Sequence, residues 1–168
     1  MTDDPKAKSD RRITLAWVGL ALAIALSDQG TKSLLGALIP PGEFRPITGF
    51  FNLVHVFNRG AAFSLLADAP GWQSPLFAAI ALVASVVIVV LLFRNAAERL
   101  FCAGLALILG GALGNLWDRI TLGHVVDFLD FHVLGYHWPA FNLADSAITL
   151  GAALVILDGF RGSKAAAG

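Results

Sequence analysis

Leu100-Phe101-Cys102-Ala103-Gly104-Leu105-Ala106-Leu107-Ile108-Leu109-Gly110-Gly111-Ala112-Leu113-Gly114-Asn115-Leu116-Trp117 runs directly into Asp118-Arg119. A helix that crosses a bilayer needs about 20 apolar residues, and this run reaches that length once its flanks are counted. Three more runs share its character: Ile13–Leu35, Leu76–Phe93 and Ala144–Leu157, the last needing Pro139–Leu143 to complete a span. Of the 168 residues, 57% are hydrophobic and only 14% are charged, with a mean hydropathy of +0.72. That balance is too apolar for an ordinary soluble domain. The expected fold class is an all-α polytopic membrane protein with four transmembrane helices in one membrane domain. The formal net charge of zero gives no reason to expect a nucleic-acid partner. Cys102 is the single cysteine, so no internal disulfide framework and no cysteine-rich metal site can form. It reads as a small apolar residue of a helix.

Basic residues set the expected orientation. Lys6, Lys8, Arg11 and Arg12 precede the first run, Arg94 and Arg99 bracket the tight connection between the second and third, and Arg161 and Lys164 follow the fourth. Clustering at one membrane side marks the cytoplasmic face. Both termini are therefore expected in the cytoplasm, with a tail over residues 1–12, a membrane domain over 13–160 and a second tail over 161–168. The first run continues into Ser27-Asp28-Gln29-Gly30-Thr31-Lys32 without a convincing cleavage site, so it reads as a retained span rather than a signal peptide. Lys32 is expected to end this span and to reach the headgroups with its long stem.

Between the first two spans, Ile39-Pro40-Pro41-Gly42 breaks helix. The phenylalanine- and valine-rich segments Phe44–Phe50 and Phe51–Phe57 read as two short strands joined near Thr48-Gly49. Asn58-Arg59-Gly60 reads as a tight turn and Ala61–Leu66 as a short interfacial helix. Trp72 and Trp117 suit an aromatic belt at the outer interface. Gly110 and Gly114, four apart, let another backbone approach the third helix closely.

Four carboxylates converge in this arrangement. Asp28 lies late in the first span, Asp118 just past the third, Asp127 in the connection and Asp145 at the start of the fourth. Antiparallel spans bring all four to one face, and carboxylates beside hydrocarbon mark a functional site by default. Asn115 is one turn before Asp118 and Arg119 and can join them. Asn142 is a good N-cap with Asp145 three residues on, as in a capping box. Two carboxylates in contact share a proton: the ionised one can activate water while the protonated one donates to a carbonyl oxygen. Such a pair hydrolyses a peptide without metal or covalent intermediate. Three other readings fit the same residues: a proton- or ion-coupled small membrane carrier, a metal-dependent membrane hydrolase using His124, Asp127 and His132, and an assembly subunit whose carboxylates only pair helices.

Five segments carry a family resemblance: Ser27–Lys32, Phe57-Asn58-Arg59-Gly60-Ala61-Ala62-Phe63, Gly110–Arg119, Gly123-His124-Val125-Val126-Asp127-Phe128 and Phe141-Asn142-Leu143-Ala144-Asp145-Ser146. In this order and over nearly the whole domain, they closely resemble the bacterial lipoprotein signal peptidases, or signal peptidase II. The resemblance implies an intramembrane aspartic endopeptidase of the bacterial inner membrane. A monomer is expected, and no cofactor or metal, since His124, Asp127 and His132 are spaced like a loop that happens to contain them and only one cysteine exists. The resemblance implies cleavage of diacylglyceryl-modified prolipoproteins on the N-terminal side of the lipidated cysteine, in contact with membrane lipid and toward the periplasm. The family's catalytic pair falls on Asp127 and Asp145. Its supporting or substrate-positioning residues fall on Asp28, Asn58, Asn115, Asp118, Arg119 and Asn142. The strands over about 44–57 correspond to a small periplasmic β platform beside the site.

Overall fold

A computed structural model describes residues 5–60 and 71–165. The expected helix over Ala61–Leu66 lies outside the described residues. Four helices follow from the four apolar runs: α1 (Pro5–Leu38), α2 (Gln73–Arg94), α3 (Arg99–Thr121) and α4 (Leu143–Ala165). Each is long and apolar enough to cross a membrane, with spans of 28, 22, 23 and 19 residues. α3 is the centre of the bundle and packs on α1, α2 and α4. Just over half of its apolar window, 56%, is buried, against 17% in each of the other three. Its glycines explain how it can be surrounded. A Cβ at Gly104 would lie 2.7 Å from the Gly151 carbonyl oxygen of α4, and one at Gly110 would lie 2.6 Å from the Ala21 carbonyl oxygen of α1. Backbones therefore approach on two sides of α3, as small residues permit.

Two helix ends differ from the sequence expectation. α3 runs past Trp117 to Thr121, so Asp118 and Arg119 belong to its last turn rather than to the following loop. It stops where Gly123 adopts a φ of +77°, the left-handed conformation that closes helices. α4 begins at Leu143 and gains its length by continuing to Ala165. Of Pro139–Leu143 only Leu143 joins the helix, because Asn142 already caps the first turn: the Asp145 N–H donates to Asn142 Oδ1 at 2.9 Å.

The expected strand pair is present as β1 (Phe44–Thr48) and β2 (Phe51–Asn58), antiparallel. The sheet is larger than that pair. β3 (Val125–Val133) and β4 (Tyr136–His137) extend it to four antiparallel strands in the order β1-β2-β3-β4. Asn58 pairs with Val125 and Val56 with Asp127, while Phe51 pairs with Phe131. The sheet thus joins the α1–α2 connection to the α3–α4 connection, at the end of the bundle that holds the aspartates.

Candidate active site

Asp127 and Asp145 arrive from different elements. Asp127 is buried near the start of β3, fixed in register by pairing with Val56. Asp145 sits in the first turn of α4, where the helix dipole favours a carboxylate and the Asn142 N–H donates to its Oδ2 at 3.3 Å. With the Asn142 Oδ1 bond, this makes a capping box. Asn142 also joins the two acids: its Nδ2 donates to Asp127 Oδ1 at 2.8 Å and is shared with Asn115 Oδ1 and the Val126 carbonyl, both at 3.2 Å. Asn58 Nδ2 donates to Asp127 Oδ2 at 3.0 Å. Asn115 Nδ2 donates to Asp145 Oδ1 at 2.8 Å. Every carboxylate oxygen of the pair therefore accepts a hydrogen bond from a neutral amide.

Neutral donors orient a carboxylate without cancelling its charge. Burial, followed by the Asp145 charge, pushes the Asp127 carboxyl up to about 7, against the pull of Asn58, Lys32 and Asn142. A carboxyl that holds a proton near neutrality, beside a second carboxylate, can act as an acid while its neighbour acts as a base.

Asp28 and Asp118 have different surroundings. Lys32 Nζ lies 2.7 Å from Asp28 Oδ2 and 2.8 Å from Asp118 Oδ2, and it donates to Asn115 Oδ1 at 3.0 Å. Lys32 does not extend to the headgroups: it is only 5% exposed. The basic partner of Asp118 is this lysine of α1, not its chain neighbour Arg119. Asp28 Oδ1 accepts the Ala144 N–H at 3.0 Å, which ties α1 to the start of α4. Asp118 Oδ2 accepts the Val126 N–H at 3.1 Å, next to Asp127 on β3. Gln29 donates to Asp118 Oδ1 at 2.7 Å and to the Gly114 carbonyl at 3.1 Å. A Cβ at Gly114 would lie 2.6 Å from Asp28 Oδ2, so only glycine lets this carboxylate reach its place.

Arg119 turns away from Asp118. Its guanidinium donates to the Gly60 carbonyl at 3.0 Å and the Asn115 carbonyl at 3.3 Å, and it lies 5.5 Å from the Phe77 ring centroid. Its Nε has no acceptor among the described residues. Gly60 is itself held by Asn58, whose Oδ1 accepts the Gly60 N–H at 2.9 Å, in the tight turn expected there.

All eight expected site residues, Asp28, Asn58, Asn115, Asp118, Arg119, Asp127, Asn142 and Asp145, are thus linked by hydrogen bonds, ion pairs or shared partners. The trio His124, Asp127 and His132 is not assembled. His124 packs on the Phe57 ring and His132 stacks on His137, and no group of three potential ligands gathers among the described residues. Sequence reasoning missed Lys32 and Gln29 as members of the site. The spacing of Asp28 and Lys32, one helical turn apart, was the available signal.

The similarities to known proteins fit this architecture. Residues 20–161 match the family model described as Signal peptidase (SPase) II. A lipoprotein signal peptidase of Cupriavidus necator (strain H16) is 55% identical over 147 residues, covering 88% of this chain and 84% of that protein. A lipoprotein signal peptidase of Janthinobacterium sp. (strain Marseille) is 50% identical over 161 residues, covering 96% of this chain and 98% of its own length. Among solved structures, a bacterial membrane enzyme determined by the in meso method at 2.3 Å matches with a TM-score of 0.78 at 29% identity. That match covers 88% of this chain and 89% of the solved one.

Proposed function

The chain belongs to the signal peptidase II family, and on that premise we propose that Asp127 and Asp145 are the catalytic pair of an intramembrane lipoprotein signal peptidase. The enzyme is a multi-pass protein of the bacterial inner membrane that removes the signal peptide from diacylglyceryl-modified prolipoproteins. The observation that carries the assignment of the pair is its setting: a buried Asp127 and a half-buried Asp145 joined through Asn142, each oriented by neutral amides.

In this reading Asp127 holds the proton at neutral pH and Asp145 is ionised. Asp145 takes a proton from a water as the water attacks the scissile carbonyl. Asp127 donates its proton to the carbonyl oxygen as the carbon becomes tetrahedral. Asp145 then passes its proton to the amide nitrogen while Asp127 recovers one from a hydroxyl of the tetrahedral carbon, and the C–N bond breaks, releasing the signal peptide as a carboxylic acid and the lipidated cysteine with a free amine. Asn58, Asn115 and Asn142 keep both carboxyls in place. Asp28 and Asp118, which share the ammonium of Lys32, brace the helix ends. The bound lipid of the substrate places the scissile bond at the pair, so that orientation replaces much of the entropic cost of reaction.

Residues 13–160 form the peptidase domain, and 1–12 and 161–168 are cytoplasmic segments. The arginines at the far end of the bundle support this orientation through the positive-inside bias, and it turns the aspartates and the sheet toward the periplasm. Reporter fusions at Met1 and Gly168 should both read cytoplasmic, and a periplasmic signal from either end would overturn the topology. The activity is tested by incubating the purified protein with a diacylglyceryl-modified prolipoprotein and a chelator, and following the product by gel shift. Cleavage is expected, and activity that chelator removes and zinc restores would contradict the two-acid mechanism.

A further inference from the structure

At the end of the bundle opposite the aspartates, Ile13, Ala16, Trp17 and Leu20 of α1 fall at the spacing that places them on one helix face. They border a crevice of about 600 Å³. Its other wall is Ala96 and Ala97 of the α2–α3 connection, with Arg99 at the start of α3. That volume lies in the usual range of small-ligand sites. The lining is lopsided, since aliphatic and indole surface covers it except for one guanidinium.

Arg99 is exposed and takes part in none of the described ion pairs. Around it the charge is mostly of one sign. Arg11 and Arg12 lie just before Ile13, Arg94 ends α2 and Arg161 lies near the end of α4, against Asp10, Glu98 and Asp158. An apolar crevice at a helix end of a membrane bundle is in contact with lipid chains. A guanidinium matches the geometry of phosphate oxygens with two parallel hydrogen bonds. The excess of neighbouring cations disfavours a headgroup that carries its own positive charge. Basic pockets between transmembrane helices bind anionic headgroups for these reasons.

We propose that this crevice is a binding site for an anionic phospholipid of the adjacent leaflet. One acyl chain lies along the Ile13–Leu20 face and the phosphate pairs with Arg99. The short side chains of Ala96 and Ala97 keep the crevice open. The bound lipid bridges the first half of α1 to the α2–α3 connection. The site is independent of the proposed catalytic pair and of the prolipoprotein substrate.

The test is native mass spectrometry of the full chain in detergent micelles, titrated with phosphatidylglycerol or with phosphatidylcholine of the same acyl chains. Glycerol phosphate serves as the headgroup without chains. Phosphatidylglycerol should bind at least about fivefold more tightly than phosphatidylcholine, the ratio expected for one arginine near a headgroup, and glycerol phosphate should not be retained. Arg99→Gln should abolish the preference and Arg99→Glu should reverse it. Ala97→Phe should weaken both lipids by filling the crevice. Arg161→Gln removes the same charge from the same end without lining the crevice, and it should keep the preference. All four variants should cleave lipidated substrate as the unaltered protein does, which confirms their fold. Equal binding of the two lipids, a preference that survives Arg99→Gln, equal losses in the Arg99 and Arg161 variants, or retention of glycerol phosphate would each overturn the proposal.

Discussion

Asp28 and Asp118 differ from Asp127 and Asp145 by what faces them. The first two share the ammonium of Lys32 at 2.7 and 2.8 Å. The second two accept hydrogen bonds from Asn58, Asn115 and Asn142. All four are aspartates at one end of one bundle, and Asn115 touches both groups, since its Oδ1 accepts from Lys32 and its Nδ2 donates to Asp145. A cation shared between two carboxylates ties the elements that carry them together and makes the group a brace. Neutral donors hold a carboxyl in position but leave its protonation free to change, and that is what proton transfer needs.

The most severe way to separate the two groups is to remove one carboxyl from each. Asp127→Asn or Asp145→Asn should lower kcat by about 10²–10⁴-fold, the scale of a general acid or base, while the protein stays folded in detergent. The double variant should be little worse than either single one, because the two acids act as a unit. Asp118→Asn should instead lower folded yield, with a smaller loss of cleavage per folded molecule. A folded Asp118→Asn protein with no cleavage would move Asp118 into the chemistry.

Lys32→Met attacks the brace from the other side. It leaves two buried carboxylates without their cation, and breaking a buried pair in this way costs about 3–5 kcal/mol. Thermal unfolding in detergent should show that loss. Replacing the whole group, as Asp28→Asn, Lys32→Met and Asp118→Asn together, should recover most of it, because no charge is then left unpaired. A Lys32→Met protein as stable as the parent would contradict the ion-pair account.

The pH dependence offers a subtler contrast. Folding raises the Asp127 carboxyl from its ordinary 3.8 to about 7, so the folded protein holds more protons than the unfolded chain between those values. Stability therefore falls as pH rises through that window and levels off above it. Asp127→Asn should flatten part of this slope in a thermal-shift series. Activity should also decline as pH rises through about 7, as the proton donor is lost. An activity that keeps rising above that point would assign the proton elsewhere.

The four spans were legible because each is a long apolar run that can satisfy its backbone only as a helix. The capping box at Asn142 and Asp145 was legible because it is local. Other features depend on distant partners. Val125–Val133 mixes aspartate and histidine into an apolar stretch, and it becomes a strand only by pairing with Phe51–Asn58, contributed from before α2. Lys32 reads as a headgroup lysine until α3 brings Asp118 and Asn115 against it. The end of α3 carried a local signal in Gly123, but the charge of Asp118-Arg119 looks like a span boundary in the sequence alone.

Asp127 carries a proton near neutral pH, its carboxyl being pushed up to about 7. Infrared difference spectroscopy of the purified enzyme in deuterated buffer, between about pH 5 and about pH 9, observes protonated carboxyl groups through their carbonyl stretch. The unaltered protein should lose a protonated-carboxyl band with a midpoint of about 7. Asp127→Asn should lack that band, while Asp118→Asn should retain it. A band that persists in Asp127→Asn, or is missing from the unaltered protein, would contradict the account.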